Sequence, residues 1–439
     1  MTVIGCVRRI FPVIWYQAPC SRFRACLIKH TCLALGCLWV IFVSPHPASA
    51  QTRSVFLWVE CEGTNRTLDS LGHVQGLLAD AKAWGIDTLF VQVYRGDKAW
   101  FDCRACDASP LAEFQRREGK DMLHYLLDQA HRQGIGVFAW VNCFRLSKDP
   151  NGPLIRKLGK RIITRDNKGR SMLSYPNLQL PGEDNKYYEA DSTGYWMDPG
   201  DPDAQNHLLT VFRELMTKYP SLDGVQLDFV RLPYVVPFSP GARFPKGITY
   251  GYGERSVARF RAATKWDPLH WDGSSASALA WDDWRRNQIT EFVRKVHGLQ
   301  RELLPKGRLS AAVLCWGDRA FLSAFQDWRS WLLDGDLDFV AIMNYSIETK
   351  LFSHVTREAF AFARVRPVWI GLGPYLLGQR ENIFRAQVED TLQQLWENNK
   401  GALGFFSYDS LKQTPQLIPI LKSTIAKNGS GHGTNPSAR

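Results

Sequence analysis

The histidines of this sequence fall into no HxH or HExxH pattern, and no Gly-rich phosphate loop follows an early strand-like segment. The first absence removes familiar zinc-hydrolase ligand sets. The second removes the fingerprint that an open, doubly wound nucleotide-binding sheet would carry. Neither a metal nor an organic cofactor is therefore expected. There is no internal repeat of fixed period, which sets aside solenoids and propellers. The apolar run TCLALGCLWVIFVS, residues 31–44, is too short to span a bilayer comfortably, since a spanning helix needs roughly 20 residues.

That run is flanked informatively. The first thirty residues hold five basic side chains (Arg8, Arg9, Arg22, Arg24, Lys29) and no acid, and Ala48-Ser49-Ala50 supplies the small-residue pattern of a signal-peptidase site. Residues 1–50 read as a secretory signal, 51–426 as the folded chain and 427–439, KNGSGHGTNPSAR, as a disordered tail. The expected location is outside the cytoplasm, periplasmic or secreted, with no transmembrane segment after cleavage. Removing the leader lowers the net charge from +11 to +6, which is mildly basic and no argument for a nucleic-acid partner. Five cysteines remain, an odd number that leaves at least one thiol free. Cys103-Arg-Ala-Cys106 reads as a local disulfide, because a zinc site would need a second ligand pair and none lies nearby.

From Val55 onward, short β-branched runs alternate with longer segments of helical spacing, the pattern of a parallel sheet with crossover helices. Eight strands are expected at 55–60, 87–94, 136–142, 223–229, 308–314, 338–344, 367–372 and 402–406. The intervening helices fall near 68–84, 120–133, 202–218, 281–303, 321–333, 354–365, 381–398 and 413–426. Eight such units in one chain make an α/β fold of the (β/α)8 TIM-barrel type. Two connections, about 143–200 and 230–280, exceed ordinary loop length. They follow strands three and four, so they belong to the face where barrel active sites are built. The first carries nine basic residues between 145 and 170 against Asp149 and Asp166, read either as a solvated loop or as an attraction for an anionic polymer.

Polar residues at the C-terminal ends of barrel strands are the candidate site, because a rigid strand end aims them into the cleft. They are Glu60 and Glu62 after strand one, Gln92 and Tyr94 on strand two, Asn142 on strand three, Asp228 on strand four, and Asn344 and Tyr345 on strand six. Residues two apart share a face, which groups Trp58 with Glu60, Trp140 with Asn142 and Gln226 with Asp228. In DGVQLDFVRLPY, residues 223–234, the odd spacing of Asp223 and Asp228 sends them to opposite faces. Asp223 reads as a structural partner at the N-terminal end. Asp228 reads as the chemical group, since an unpaired buried carboxylate costs several kcal/mol unless a cleft or partners compensate. Trp100, Trp140, Trp196 and Trp316 fall near strand ends as candidate sugar-stacking platforms. Carboxylates and aromatics around one pocket suit glycoside chemistry.

In order along the chain, RSVFLWVECEG, DTLFVQVYRGDKAWF, AHRQGIGVFAWVNCFR, YWMDPGDPDAQ, DGVQLDFVRLPY, QDWRSWL and LDFVAIMNY resemble the blocks of the bacterial glycosyl hydrolase-like family ten, over roughly residues 53–375. The resemblance implies an exported TIM-barrel glycosidase acting on cell-wall or envelope polysaccharide. It also implies that Asp228, at the position of the strand-four nucleophile of α-amylase-like barrels, attacks in a two-carboxylate, retaining mechanism. Three departures stand out. Phe138 replaces the histidine of the family's His-Ala-Trp, so a sugar contact is expected to be missing or altered. Gln226 stands where amylase-like barrels put an arginine, and strand five ends Leu314-Cys315-Trp316-Gly317-Asp318 without a glutamate. The acid is then sought first in Glu60, then in Asp318 and Glu62. Gln92, Tyr94, Trp140, Asn142, Gln226, Arg231, Trp316, Asn344 and Tyr345 are expected to bind the polysaccharide or oligosaccharide substrate. The alternative is a barrel that binds glycan without cleaving it; the oligomeric state is not legible.

Overall fold

The computed structural model describes residues 54–430 except 191–192, 238–246, 363–364 and 399. The leader read over 1–50 and residues 431–439 of the tail lie outside the described residues. Barrel strands β1 (Ser54–Val59), β2 (Thr88–Arg95), β3 (Gly136–Asn142), β4 (Gly224–Asp228), β5 (Arg308–Leu314), β6 (Phe339–Met343), β7 (Val368–Leu372) and β8 (Ala402–Phe405) pair in parallel in that order. β1 pairs with both β2 and β8, so the eight strands close into a (β/α)8 barrel. Each strand lies within a residue or two of its expected position.

Closure needs an interior that side chains can fill. Phe56, Trp58, Phe90, Phe138, Trp140, Phe339 and Trp369 supply it, with Ala312, Ala341 and Ala402 where the space narrows. Phe90 meets Phe138 edge-on at 5.1 Å between ring centres, and Phe339 stacks on Trp369 at 4.0 Å. Two glycines make room for such rings. A Cβ on Gly371 would fall 2.5 Å from the Trp58 ring, and one on Gly404 would fall 2.3 Å from Phe56. The alternate strand positions (Val55, Leu57, Val59; Leu89, Val91, Val93) face outward and form the second core, against the helices.

Crossover helices span Leu71–Trp84, Met122–Arg132, Pro202–Lys218, Ser275–Leu303, Thr349–Phe360 and Glu381–Asn398. The helix expected over 321–333 is two short ones, Gly317–Ser323 and Trp328–Asp334, because Phe325 turns left-handed at φ 56° between them. The last helix, Leu417–Ser430, continues into the stretch read as tail. No helix among the described residues is long and apolar enough to cross a membrane.

The excursions after β3 and β4 pack on each other at the C-terminal face. Tyr188–Ala190 pairs antiparallel with Val235–Pro237, and Asp166 bridges to Tyr250. Much of the basic run is used internally. Arg170 pairs with buried Asp166 at 2.8 Å, Lys168 and Arg170 both grip Asp184, Arg161 pairs with Asp203, and Arg165 pairs with Glu254. Four of the nine basic residues are thus committed to acids within the fold, which weakens the case for an anionic polymer. The Cys103–Cys106 disulfide forms, and Cys61, Cys143 and Cys315 are free.

Candidate functional site

Asp228 is the last residue of β4 and points to the mouth of the barrel, 6% exposed. Its Oδ2 accepts from the Trp140 indole Nε1–H at 3.0 Å, and its Oδ1 accepts from the backbone N–H of Phe229 at 2.7 Å. Burial pushes its pKa up; the Phe229 amide, the Arg231 and Arg145 charges and the Trp140 bond pull the other way without cancelling the rise. Phe229 holds φ 49°, a left-handed conformation that a β-carbon disfavours by on the order of 1–3 kcal/mol. Such strain beside a buried carboxylate is common at active sites.

Around Asp228 the inward positions of adjacent strands carry amides. Gln92 Nε2–H donates to Asn142 Oδ1 at 3.1 Å, and Gln92 Oε1 faces the Cys61 thiol at 3.1 Å. Trp58 Nε1–H donates to Gln226 Oε1 at 2.6 Å. The remaining amide nitrogens, Asn142 Nδ2 and Gln226 Nε2, are buried without a hydrogen-bond partner. A buried donor left unmade costs about 1–3 kcal/mol. Both amides lie on inward strand positions near Asp228, Asn142 directly opposite it in register.

Glu60 follows β1 and is half-buried, its Oε2 accepting from Ser407 Oγ at 2.7 Å. Tyr345 stacks on Phe406 at 5.6 Å. Burial chiefly, then Tyr375 and the charges of Asp228 and Glu60, push the Tyr345 hydroxyl well above the usual tyrosine range. Tyr345 therefore lies within electrostatic reach of both carboxylates. Ser407, Phe406 and Arg145 escaped the sequence reading. For Ser407 the signal was present, since it follows the last barrel strand at its C-terminal end.

Other expected members sit elsewhere. The β2–β3 ladder slips between Gln92 and Tyr94, placing Tyr94 opposite Val141 instead of Asn142. The slip reverses the parity, and Tyr94 turns to the outer layer, where its hydroxyl meets Asp97 and His207 at 3.2 Å each. Asn344 also faces outward, donating to Phe352 O and Thr356 Oγ1 at 3.0 Å each, and so anchors a helix to β6. Glu62 is half-exposed and ion-paired with Arg95 at 3.4 Å. Asp318, its side chain 86% exposed, pairs with Arg329. Arg231 is buried among the rings of Trp196, Phe229 and Tyr234. Trp196 is 0% and Trp100 7% exposed, which removes both as stacking platforms; Trp316 keeps 40%. Phe138 packs on Phe90 and Phe339 a layer beneath Trp140, so the altered position belongs to the barrel interior. Among the described residues no cluster of three or more His, Cys, Asp or Glu is arranged to hold a metal.

Comparison with known proteins agrees with this architecture. The glycosyl hydrolase-like 10 family matches residues 51–370. Glycosyl hydrolase DigH of Escherichia coli strain K12 is 25% identical over 343 residues, 72% of this chain and 67% of DigH. Glycosyl hydrolase YngK of Bacillus subtilis strain 168 is 21% identical over 290 residues, 61% of this chain and 48% of YngK. The alignments thus span about two thirds and about half of those relatives. Among solved structures, the PgaB (BpsB) glycoside hydrolase domain of Bordetella bronchiseptica superposes with a TM-score of 0.56 at 13% identity, covering 85% of this chain and 98% of that one. A β-galactosidase from the haloarchaeon Halorubrum lacusprofundi gives 0.54 at 11% identity, covering 87% and 59%. At such identities the likeness concerns the fold alone.

Proposed function

This chain belongs to the glycosyl hydrolase-like 10 family, and from that premise we propose that it is an exported glycoside hydrolase acting on a cell-wall or envelope polysaccharide, with Asp228 at the reacting centre. The observation that carries this reading is the setting of Asp228. It is a buried carboxylate with each oxygen fixed by a separate N–H donor, beside amide donors that still lack acceptors. Fixing both oxygens orients the group for attack and removes the entropy of searching for that orientation. In the proposed mechanism ionised Asp228 attacks the anomeric carbon, and Glu60 protonates the departing glycosidic oxygen. Water then releases the sugar with Glu60 as base. Asn142 and Gln226 would donate to sugar hydroxyls, and Trp140 and Tyr345 would bound the ring.

Glu60 is preferred as partner because it follows β1 at the C-terminal face with its carboxylate held by Ser407, whereas Asp318 and Glu62 are already engaged with cations near the solvent. A retaining reaction needs the two carboxyl groups about 5–5.5 Å apart. The test is release of reducing ends from purified wall glycans and a polysaccharide panel by the wild type and by Asp228→Asn. Release by the wild type alone is expected. Equal release by both would clear Asp228 of a catalytic role, and no release by either would leave a glycan-binding barrel as the better reading.

A further inference from the structure

The excursion after β4 builds a small core of its own, separate from the barrel, from Tyr252, Val257, Phe260 and Trp281. Over that core opens a cavity of about 120 Å³ between the helices Glu254–Thr264 and Ser275–Leu303. At about 30 Å³ of liquid volume per water this is room for roughly four waters, enough to seat part of one sugar ring and not a folded partner. Tyr252, Trp266, Trp271 and Trp281 supply aromatic walls, and Asp267 and Asp282 stand at its edge.

Three features give the cavity a preference. Trp271 is 67% exposed yet its ring is fixed, its Nε1–H donating to Ser274 O at 2.9 Å; Trp266 is 37% exposed beside it. An exposed indole held in this way offers a flat face at little ordering cost. Trp281, 3% exposed, lines the same cavity as a fixed inner wall, stacked on Trp284 at 5.1 Å between ring centres. Finally, the two acids are already neutralised. Asp267 pairs with Arg261 and His270, which hold it down at about 2 against its burial, and Asp282 pairs with Arg285. Anionic and cationic ligands therefore gain nothing from charge here. A ring with an apolar C–H face and a rim of neutral oxygens would suit the indole faces without needing a charged partner.

We propose that this cavity is a second glycan-binding site, outside the barrel mouth, which holds a single neutral sugar residue of the polymer on Trp271 and Trp266. The proposal rests on the glycosidase reading for its ligand class but claims binding only. Its test is co-sedimentation of the full chain with purified insoluble cell-wall glycan, run in the Asp228→Asn background so that cleavage cannot intervene. Trp271→Ala removes the exposed platform, and Ala278→Arg fills the cavity from an exposed helix position without deleting an existing contact. Each is expected to weaken retention about tenfold, the scale of one lost aromatic contact. Retention equal to the parent in both variants, or no retention of the parent itself, overturns the proposal. A wild type that binds but releases no reducing ends would bring down the glycosidase reading while leaving this site standing.

Discussion

The two ends of the barrel use the same residue type in opposite ways. At the floor, Asp223 accepts from Val137 N–H at 2.7 Å and from His131 at 2.8 Å. Asp87 and Asp338 repeat the device on Val55 N–H and Leu309 N–H, each tying the entry of one strand to its neighbour. Arg308, amid these acids, caps the rings of Phe138, Phe339 and Trp369 at 5.1–5.3 Å. At the mouth, Asp228 is held by one indole and one amide, Phe229 is left strained, and Asn142 and Gln226 keep unpaired donors. The floor spends its polar groups on closing the barrel; the mouth keeps some of them uncommitted, which lowers stability and is the condition for binding something.

The sharpest way to break that contrast is the same substitution at both ends. Asp228→Asn should lower hydrolysis by about 10²–10⁴-fold or more, the range for losing a catalytic carboxyl. Asp223→Asn should leave the rate per folded molecule unchanged, and comparable losses in kcat would erase the distinction. A finer cut is Trp140→Phe, which keeps a ring but deletes the N–H on Asp228 Oδ2. Activity should fall about tenfold, the worth of one hydrogen bond to a charged group. Because that bond lowers the Asp228 pKa, its loss should also move the acidic limb of the kcat/KM profile to higher pH; an unmoved limb would mean that the limb reports another group.

Stability gives the converse effects. Asp223→Ala should destabilise by about 1–3 kcal/mol by stranding Val137 N–H, seen as a lower urea midpoint with an unchanged slope. The smallest effect is a pH dependence. Asp228 has a folded-state pKa raised above its unfolded value, so the wild type is not penalised below the unfolded pKa and loses stability as pH rises through the folded one. Relative to Asp228→Asn, its Tm should therefore fall as pH goes from about 4 to 8. A rising difference would mean that the donors on Asp228 outweigh its burial.

Strand order, closure and the two long excursions follow from periodicities of two and 3.6 that any reader of the chain can count. So does the placement of Asp223 at the floor and Asp228 at the mouth, since position along one strand is local. The slip that turns Tyr94 outward is invisible to counting, because one bulged residue reverses parity and its cost is set by the neighbouring strand. Asn344 was misread for a similar reason: the end of β6 puts it against a helix whose contact lies across the fold.

What the sequence alone determined, then, is the class of fold, the faces of its strands and the one carboxylate at the end of β4. Tertiary structure decided the company those residues keep. Glu60 meets Ser407 across 347 positions because ring closure sets β1 beside β8. Part of the basic run was neutralised by acids as distant as Glu254, and the aromatic cavity over Trp281 formed where two helices of one excursion pack together. Periodicity is written in adjacent residues, whereas partners are chosen by which surfaces the closed barrel brings within a few ångströms.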